Sequence, residues 1–499
     1  VIARLVAAIA ALVLATAPAD AEPVVVGSKT FTESVVLGEI ATQLARSSGA
    51  PARHRRELGG SRVLFSGLTR GDIDLYPEYT GTLRGELLAD RDIRSSAELA
   101  RVLREEFGLG MIGPLGFNNT YALGVTRETA QRRRLRSVSD LRGHPGLRLG
   151  FSNEFMQRAD GWPGLRDAYG LENPASGMQH ELAYRALASG DIAAMDLYAT
   201  DAEIAYYDLV VLEDDLGHFP RYDAVLLYRL DVGERAPEAL AALRRLEGAI
   251  DESTMSRLNR LAKIGPTDEA PRVPEAIVAQ EFLASALDVR SEARATTHWD
   301  TLGRTTIEHL QLVAASMAGA MVIGIGLGVV AARVPASAPP VLWVVGVMQT
   351  MPSLALLVLL IPVFGLSPLT AIVALFLYSL LPIVRNTHAG LTGVPAGVQE
   401  SARAIGLSSA QRFVDVELPM ALPMILAGIK TAVVINVGTA TLAALIGVGG
   451  YGQPILTGIR LDDFSLILLG AGPAAVMAIA AQLLFDLAER ALVSRGLRL

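Results

Sequence analysis

The chain has 499 residues, of which 51% are hydrophobic and 19% charged, with a formal net charge of −7 and no cysteine. This length holds two or three domains, and the lack of cysteine excludes disulfides, thiolate chemistry and cysteine-based metal sites. The net negative charge, with no Lys/Arg block, argues against a nucleic-acid binder, and seven histidines without an HExxH-type pair argue against a zinc enzyme.

At the start, Arg4, the apolar run Leu5 to Ala15 and Ala19-Asp20-Ala21 before Glu22 read as an export signal over residues 1–21. An uncleaved anchor helix is the alternative, and both place the chain from Glu22 onward outside the cytoplasmic membrane. Val24-Val25-Val26-Gly27 predicts a buried strand and Thr32 to Ser47 a helix. Leu147 to Phe151 and Leu209 to Leu212 predict further strands. Such alternation predicts an α/β region with mainly parallel sheets, long enough to form two lobes. A Pro-rich stretch, Pro266 to Pro274, precedes a last helix from Glu275 to Ser285 and a linker ending near Trp299. The expected division is an extracytoplasmic domain at 22–290 and a linker at 291–306.

Beyond the linker the composition changes to long apolar runs. Five predicted spans, at 307–332, 340–364, 368–385, 421–447 and 464–489, each approach the ~20 apolar residues that cross a bilayer. They define a membrane domain at 307–491 and a cytoplasmic tail at 492–499. With the first domain outside, Arg333, the loop bearing Arg385, Arg403 and Arg412, and the terminal Arg490, Arg495 and Arg498 all fall inside, as the positive-inside rule requires. Arg460 alone falls outside, beside Asp462 and Asp463.

The internal loop at 386–420 reads Glu400-Ser401-Ala402-Arg403-Ala404-Ile405-Gly406 and ends Val416-Glu417-Leu418-Pro419. It resembles the EAA loop of ABC importer permeases, matching its spacing throughout, with Ser401 in place of the first Ala. The resemblance implies a coupling helix in which Glu400, Ala402 and Gly406 meet a separate ATPase. Small residues there permit close approach, and Gly406 can take φ > 0 to end a helical piece. Met348 to Ala355, Leu381 to Thr387 and Ala443 to Gly452 also resemble quaternary-amine permeases. No G-x-x-x-x-G-K-[ST] loop is present in the sequence. Val448-Gly449-Gly450-Tyr451-Gly452 has a potassium-filter look, which makes a ligand-gated channel the reading from another class. A full-length apolar span directly before it, where a filter needs a short pore helix, argues the other way.

In the first domain, Gly27 to Glu33, Asp74 to Thr82, Phe117 to Leu123, Asp196 to Asp201 and Phe219 to Tyr222 resemble the binding proteins of the glycine betaine/carnitine/choline uptake family. The resemblance implies a two-lobed α/β periplasmic-binding-protein-like domain (type II), followed by an all-α transmembrane domain of the type I ABC importer permease fold. It implies a ligand set of Lys29, Tyr79, Thr82, Tyr121, Arg158, Tyr198 and Tyr222, with Tyr76 a rival to Tyr79. The chemistry agrees: a trimethylammonium group donates no hydrogen bond, whereas aromatic faces attract it at about 0.5–2 kcal/mol each. Lys29 and Arg158 suit a carboxylate and Thr82 a hydrogen bond, which favours a zwitterion over choline.

The expected partners are a small quaternary amine, a separate ABC ATPase dimer at the cytoplasmic loop, a second permease copy or a second permease, and membrane lipid. No nucleic acid, metal, cofactor or catalytic residue is expected. An importer for another small solute, such as an amino acid, is the rival within the class.

Overall fold

The structure, a computed structural model, describes residues 22–267, 269–293 and 296–493. The expected export signal at 1–21, linker residues 294–295 and tail residues 494–499 lie outside the described residues. The chain divides into two compact units, one holding Asp20–Ala295 and the other Thr296–Ile459 and Asp463–Leu499.

Among the described residues the first unit contains ten strands: Val24–Gly27 (β1), Ala52–Arg55 (β2), Leu75–Tyr79 (β3), Leu109–Ile112 (β4), Tyr121–Thr126 (β5), Leu149–Ser152 (β6), Ala175–Met178 (β7), Met195–Tyr198 (β8), Leu209–Leu212 (β9) and Ala224–Arg229 (β10). One lobe is a sheet of order β2-β1-β3-β10-β4. The other joins β8-β5-β9 to the β6-β7 pair through a parallel bridge between Leu149 and Ala194. The expectation of mainly parallel sheets is not met. β1 pairs parallel with β2 and β3, and β6 with β7, but β10 and β5 run antiparallel to both of their neighbours.

The reason is the chain path. The chain leaves the first lobe after β4, enters the second as β5, and returns after β9 as β10, so each of these strands arrives from the opposite end. The two crossing segments lie side by side, bridged between Asn118 and Asp223, with Asn119 N–H donating to the Tyr222 carbonyl at 3.1 Å. Two crossings and an inserted β10 make this the two-lobed type II arrangement.

The helix Thr32–Ser47 matches its expected bounds and is buried from Thr32 to Ala45. Its apolar residues Val36, Ile40 and Leu44 join β1 in the core. Burial also takes in two carboxylates on this helix, Glu33 and Glu39, and a buried charge needs partners. Glu39 takes His54 at 2.8 Å and the Arg56 guanidinium.

The second unit is helical. Among the described residues four helices are long and apolar enough to cross a membrane: His298–Arg333, Pro368–Thr392, Ser409–Ile446 and Phe464–Leu492. The expected span at 340–364 is not one straight helix. Pro335–Thr350 and Ser353–Phe364 are bent by 100° to one another, a fifth span only if the pair is counted as one. Pro352 disfavours the α conformation at the residue before it, and Met351 is extended, with φ −68 and ψ 132.

The helix that carries the first expected span begins earlier than 307. Thr297 and Asp300 form a capping box that starts the helix at His298, so residues 298–306 of the expected linker are helical and Trp299 lies in the first turn. At 36 residues this helix is about 54 Å long, well beyond the hydrocarbon core. The helices pack through small residues: a side chain at Gly328 would strike Thr387, and one at Gly428 would strike Asn386 and the Pro382 carbonyl. Asn436 is fully buried and donates to Ser379 at 2.8 Å and Ser316 at 3.1 Å, joining three spans.

Candidate functional site

The crossing segments and strand ends of the first unit converge on an open cleft. Six of the seven predicted ligand residues line it: Lys29, Tyr79, Thr82, Tyr121, Tyr198 and Tyr222. Each reaches the cleft for a local reason. Lys29 comes just after β1, and Tyr79 ends β3 ahead of the turn that carries Thr82. Tyr121 opens β5 and Tyr198 closes β8, and these two face each other in the antiparallel register. Tyr222 sits on the returning segment just before β10, packed so closely over Gly81 that a Cβ there would lie 2.3 Å from its ring.

The rings form a continuous wall. Tyr121 is 5.5 Å from Tyr222 and 5.1 Å from Tyr198, and Phe31 is 5.6 Å from Tyr198 and 6.3 Å from Tyr79. Phe31 was missed in the sequence, although it lies inside the Gly27 to Glu33 motif. Its place at the mouth of the buried helix that begins at Thr32 was the available signal. Glu154 and Asn119 also line the cleft; Asn119 lies inside the Phe117 to Leu123 motif, whereas Glu154 lies outside every motif named in the sequence.

The rivalry between Tyr76 and Tyr79 is decided by strand geometry. Residues three apart in a strand point to opposite faces. Tyr76 is fully buried in the core, while Tyr79 lines the cleft.

The two cations behave differently from each other. Lys29 lines the cleft, ion-paired to Glu78, with its ammonium 5.1 Å from the Tyr79 ring centre. An ammonium carries three donors, and the Glu78 pair uses one. Arg158 is 4% exposed and does not line the cleft. It lies behind Tyr121 and Tyr222, 5.4 and 5.8 Å from their ring centres. Asp160 at 2.6–2.8 Å and Glu86 at 2.8 Å hold its guanidinium, with Thr82 at 3.4 Å. Its partner Asp160 is pushed up by burial, but Arg158 and the Tyr222 hydroxyl outweigh this and hold it below the usual carboxylate range. Arg158→Met would leave Asp160 as a largely buried charge without an ion-pair partner, and Glu86 with only Arg62, 3.1 Å away. A loss of about 3–5 kcal/mol in unfolding free energy is expected, measured by denaturant titration of the purified chain; unchanged stability would contradict this structural role.

Tyr198 is backed by His180, whose ring lies 4.8 Å away and whose Nε2 is 3.1 Å from Asp201. Burial lowers the His180 pKa, but Asp196 and Asp201 raise it well above the ordinary value.

In the membrane unit the 386–420 loop is partly helical from its start, because the Pro368–Thr392 helix continues into it. A helix at Ala396–Ala404 then ends in a Schellman motif. Gly406 N–H donates to the Arg403 carbonyl at 3.0 Å and Leu407 N–H to the Ala402 carbonyl at 3.2 Å, with Gly406 at φ 84. A Ser408–Gln411 capping box restarts the helix. Glu400 and Gly406 are exposed, as are the apolar side chains of Ile405 and Val414. Ala402 is buried, so it packs the loop rather than offering a surface. At the loop's end Glu417 pairs with Arg333 from the end of the first span, and the Arg333 guanidinium lies 4.8 Å from the Phe413 ring centre.

Comparison with known proteins fits both units. Residues 22–285 match the substrate-binding domain of ABC-type glycine betaine transport systems, and residues 324–496 match the binding-protein-dependent transport system inner membrane component. The chain is 35% identical over 272 residues to an ergothioneine transport permease/ergothioneine binding protein of Helicobacter pylori (strain G27), a match covering 53% of this chain and 48% of that relative. It is 44% identical over 202 residues to an osmoprotectant import permease protein of Salmonella typhimurium (strain LT2), covering 40% of this chain and 94% of the relative. A crystal structure of a glycine betaine/carnitine/choline ABC transporter matches at 31% identity and a TM-score of 0.44, over 52% of this chain and 97% of the other.

Proposed function

Because the chain belongs to the family of ABC-type glycine betaine transport systems, with a substrate-binding domain and an inner membrane component in one polypeptide, we propose that it captures a quaternary-ammonium osmoprotectant and carries it across the membrane as part of an ATP-driven importer. The chain is a transport component and a multi-pass inner membrane protein. The proposed solute is glycine betaine or a related zwitterion, with carnitine and choline as variants of the same chemistry.

The observation that carries this reading is the wall of five aromatic rings, Tyr222, Tyr121, Tyr198, Phe31 and Tyr79, along one cleft. Lys29, on the cleft and with donors to spare, is the group suited to a ligand carboxylate. Arg158 acts through Thr82 and the tyrosines it backs.

The proposed division is a solute-binding domain at 22–290 on the outer side of the membrane and a membrane domain that starts with the Thr297 cap. ATP hydrolysis resides on a separate subunit that meets Glu400, Gly406 and the exposed Ile405. Two copies of the chain, or this chain and a second permease, complete the translocator. Fusion replaces diffusional encounter between receptor and translocator by tethered encounter.

A betaine with a larger body is the second reading. Nothing stands within 4 Å of a Cβ built at Gly60 on the cleft edge, which leaves room beyond a trimethylammonium group, and one relative is named for ergothioneine. Calorimetry on the purified full chain in nanodiscs, against glycine betaine, carnitine, choline, ergothioneine, proline and ectoine, tests both. Saturable heat is expected from the trimethylammonium compounds alone; proline as the tightest ligand would overturn the reading.

A further inference from the structure

Behind the aromatic wall lies a carboxylate with an unusual set of partners. Glu33 is 3% exposed and does not line the cleft. Its Oε1 accepts from the Tyr79 hydroxyl at 2.6 Å and from Asn119 Nδ2 at 2.9 Å. Its Oε2 accepts from Asn259 Nδ2 at 2.9 Å and from the Thr200 hydroxyl. The four partners come from β3, the outgoing crossing segment, the helix Glu252–Lys263 and the turn after β8. All four are neutral, and all four donate.

An ionised carboxylate has about four acceptor sites and no donor, so this shell fits the charged form, and a proton on either oxygen would meet a donor. Burial, with a smaller push from Asp201, raises the Glu33 pKa above the ordinary carboxylate value; the bonds from Thr200, Tyr79 and Asn259 oppose that rise without cancelling it, so the case for the charged form rests on the four donors. The other carboxylates near the cleft contrast with it: Glu78 is paired to Lys29, Glu86 and Asp160 to Arg158, and Glu154, which lines the cleft, is half-exposed to solvent and 3.6 Å from Arg158.

We propose that Glu33 is a specificity-determining residue, the buried anion that makes this cleft prefer a permanent cation over a neutral group of the same shape. It does so without touching the solute. Its charge lies one phenol away from the cleft and is weakly screened at low local dielectric. The hydrogen bond from the Tyr79 hydroxyl to a charged acceptor is of the strong, charge-assisted kind. It fixes the ring and draws electron density into it, strengthening the ring's attraction for a cation. The same carboxylate ties Tyr79 of the first lobe to Thr200 of the second, so its position depends on both.

This inference rests on the quaternary-ammonium reading, and the experiment separates the two. The probes are glycine betaine and 3,3-dimethylbutanoate, which keeps the shape and the carboxylate but has carbon in place of the charged nitrogen. Their binding constants are measured by calorimetry and competition on the full chain in nanodiscs. Glu33→Gln keeps the size and an acceptor and removes the charge. It is expected to weaken betaine about tenfold and to change the carbon analogue less than about twofold. Glu33→Asp keeps the charge and is expected to retain the wild-type preference between the two probes, and it stands as the second variant if Glu33→Gln does not fold. Equal losses for both probes in Glu33→Gln, or a preference lost in Glu33→Asp, would overturn the inference while leaving the proposed ligand class intact. A wild-type chain that prefers neither probe would overturn the ligand class and this inference together.

Discussion

Gly406→Val is expected to abolish solute uptake by reconstituted vesicles while glycine betaine binding to the chain stays at its wild-type value. Gly406 holds φ 84 at the centre of a Schellman motif whose two hydrogen bonds close the Ala396–Ala404 helix. A Cβ at this position meets nothing within 4 Å, so the cost of the change comes from the backbone and not from a clash. Left-handed conformation costs an L-residue roughly 1–2 kcal/mol, and a β-branched residue tolerates it least. The substituted loop therefore gives up the turn. The exposed Glu400 and Ile405 lose their placement, and Ala402, which packs beneath them, is displaced. The assays are uptake, co-purification of the ATPase and calorimetry on the same preparation. Normal uptake would remove the coupling role of this loop, and lost ligand binding would point to general misfolding. Gly406→Ala, milder at the same φ, should retain part of the uptake.

Tyr198→Ala is expected to weaken glycine betaine binding by about 1–2 kcal/mol, roughly five- to thirtyfold. Tyr198 is central to the wall, with Tyr121 on one side, Phe31 on the other and His180 behind. Its loss removes one aromatic face and the support of two more. Tyr222→Ala should cost at least as much, because its hydroxyl also holds Asp160 at 2.6 Å and its ring fills the space over Gly81. Tyr76→Phe is the control: its ring faces the core from the opposite side of β3, and affinity should not change. Wild-type affinity in both wall variants would sink the aromatic site.

Local pattern and composition determined much of this protein. The valines of β1, the long apolar runs and the spacing from Glu400 to Pro419 each express a short-range constraint: strand burial, bilayer thickness, a helix that ends where only glycine is comfortable. Four tyrosines could be assigned because each lies inside a distinctive short motif. What tertiary structure alone decided depends on which chain ends meet. β10 and β5 run antiparallel because the chain crosses between lobes twice, a fact carried by long-range pairing and not by periodicity. Which of Tyr76 and Tyr79 faces the cleft is set by where β3 sits between β1 and β10. Arg158 reads in sequence as a ligand group, yet carboxylates 2 and 72 residues away in sequence enclose it behind the rings. Glu33 could not be distinguished at all, because its four donors come from segments up to 226 residues away from it, and only folding brings them around one carboxylate.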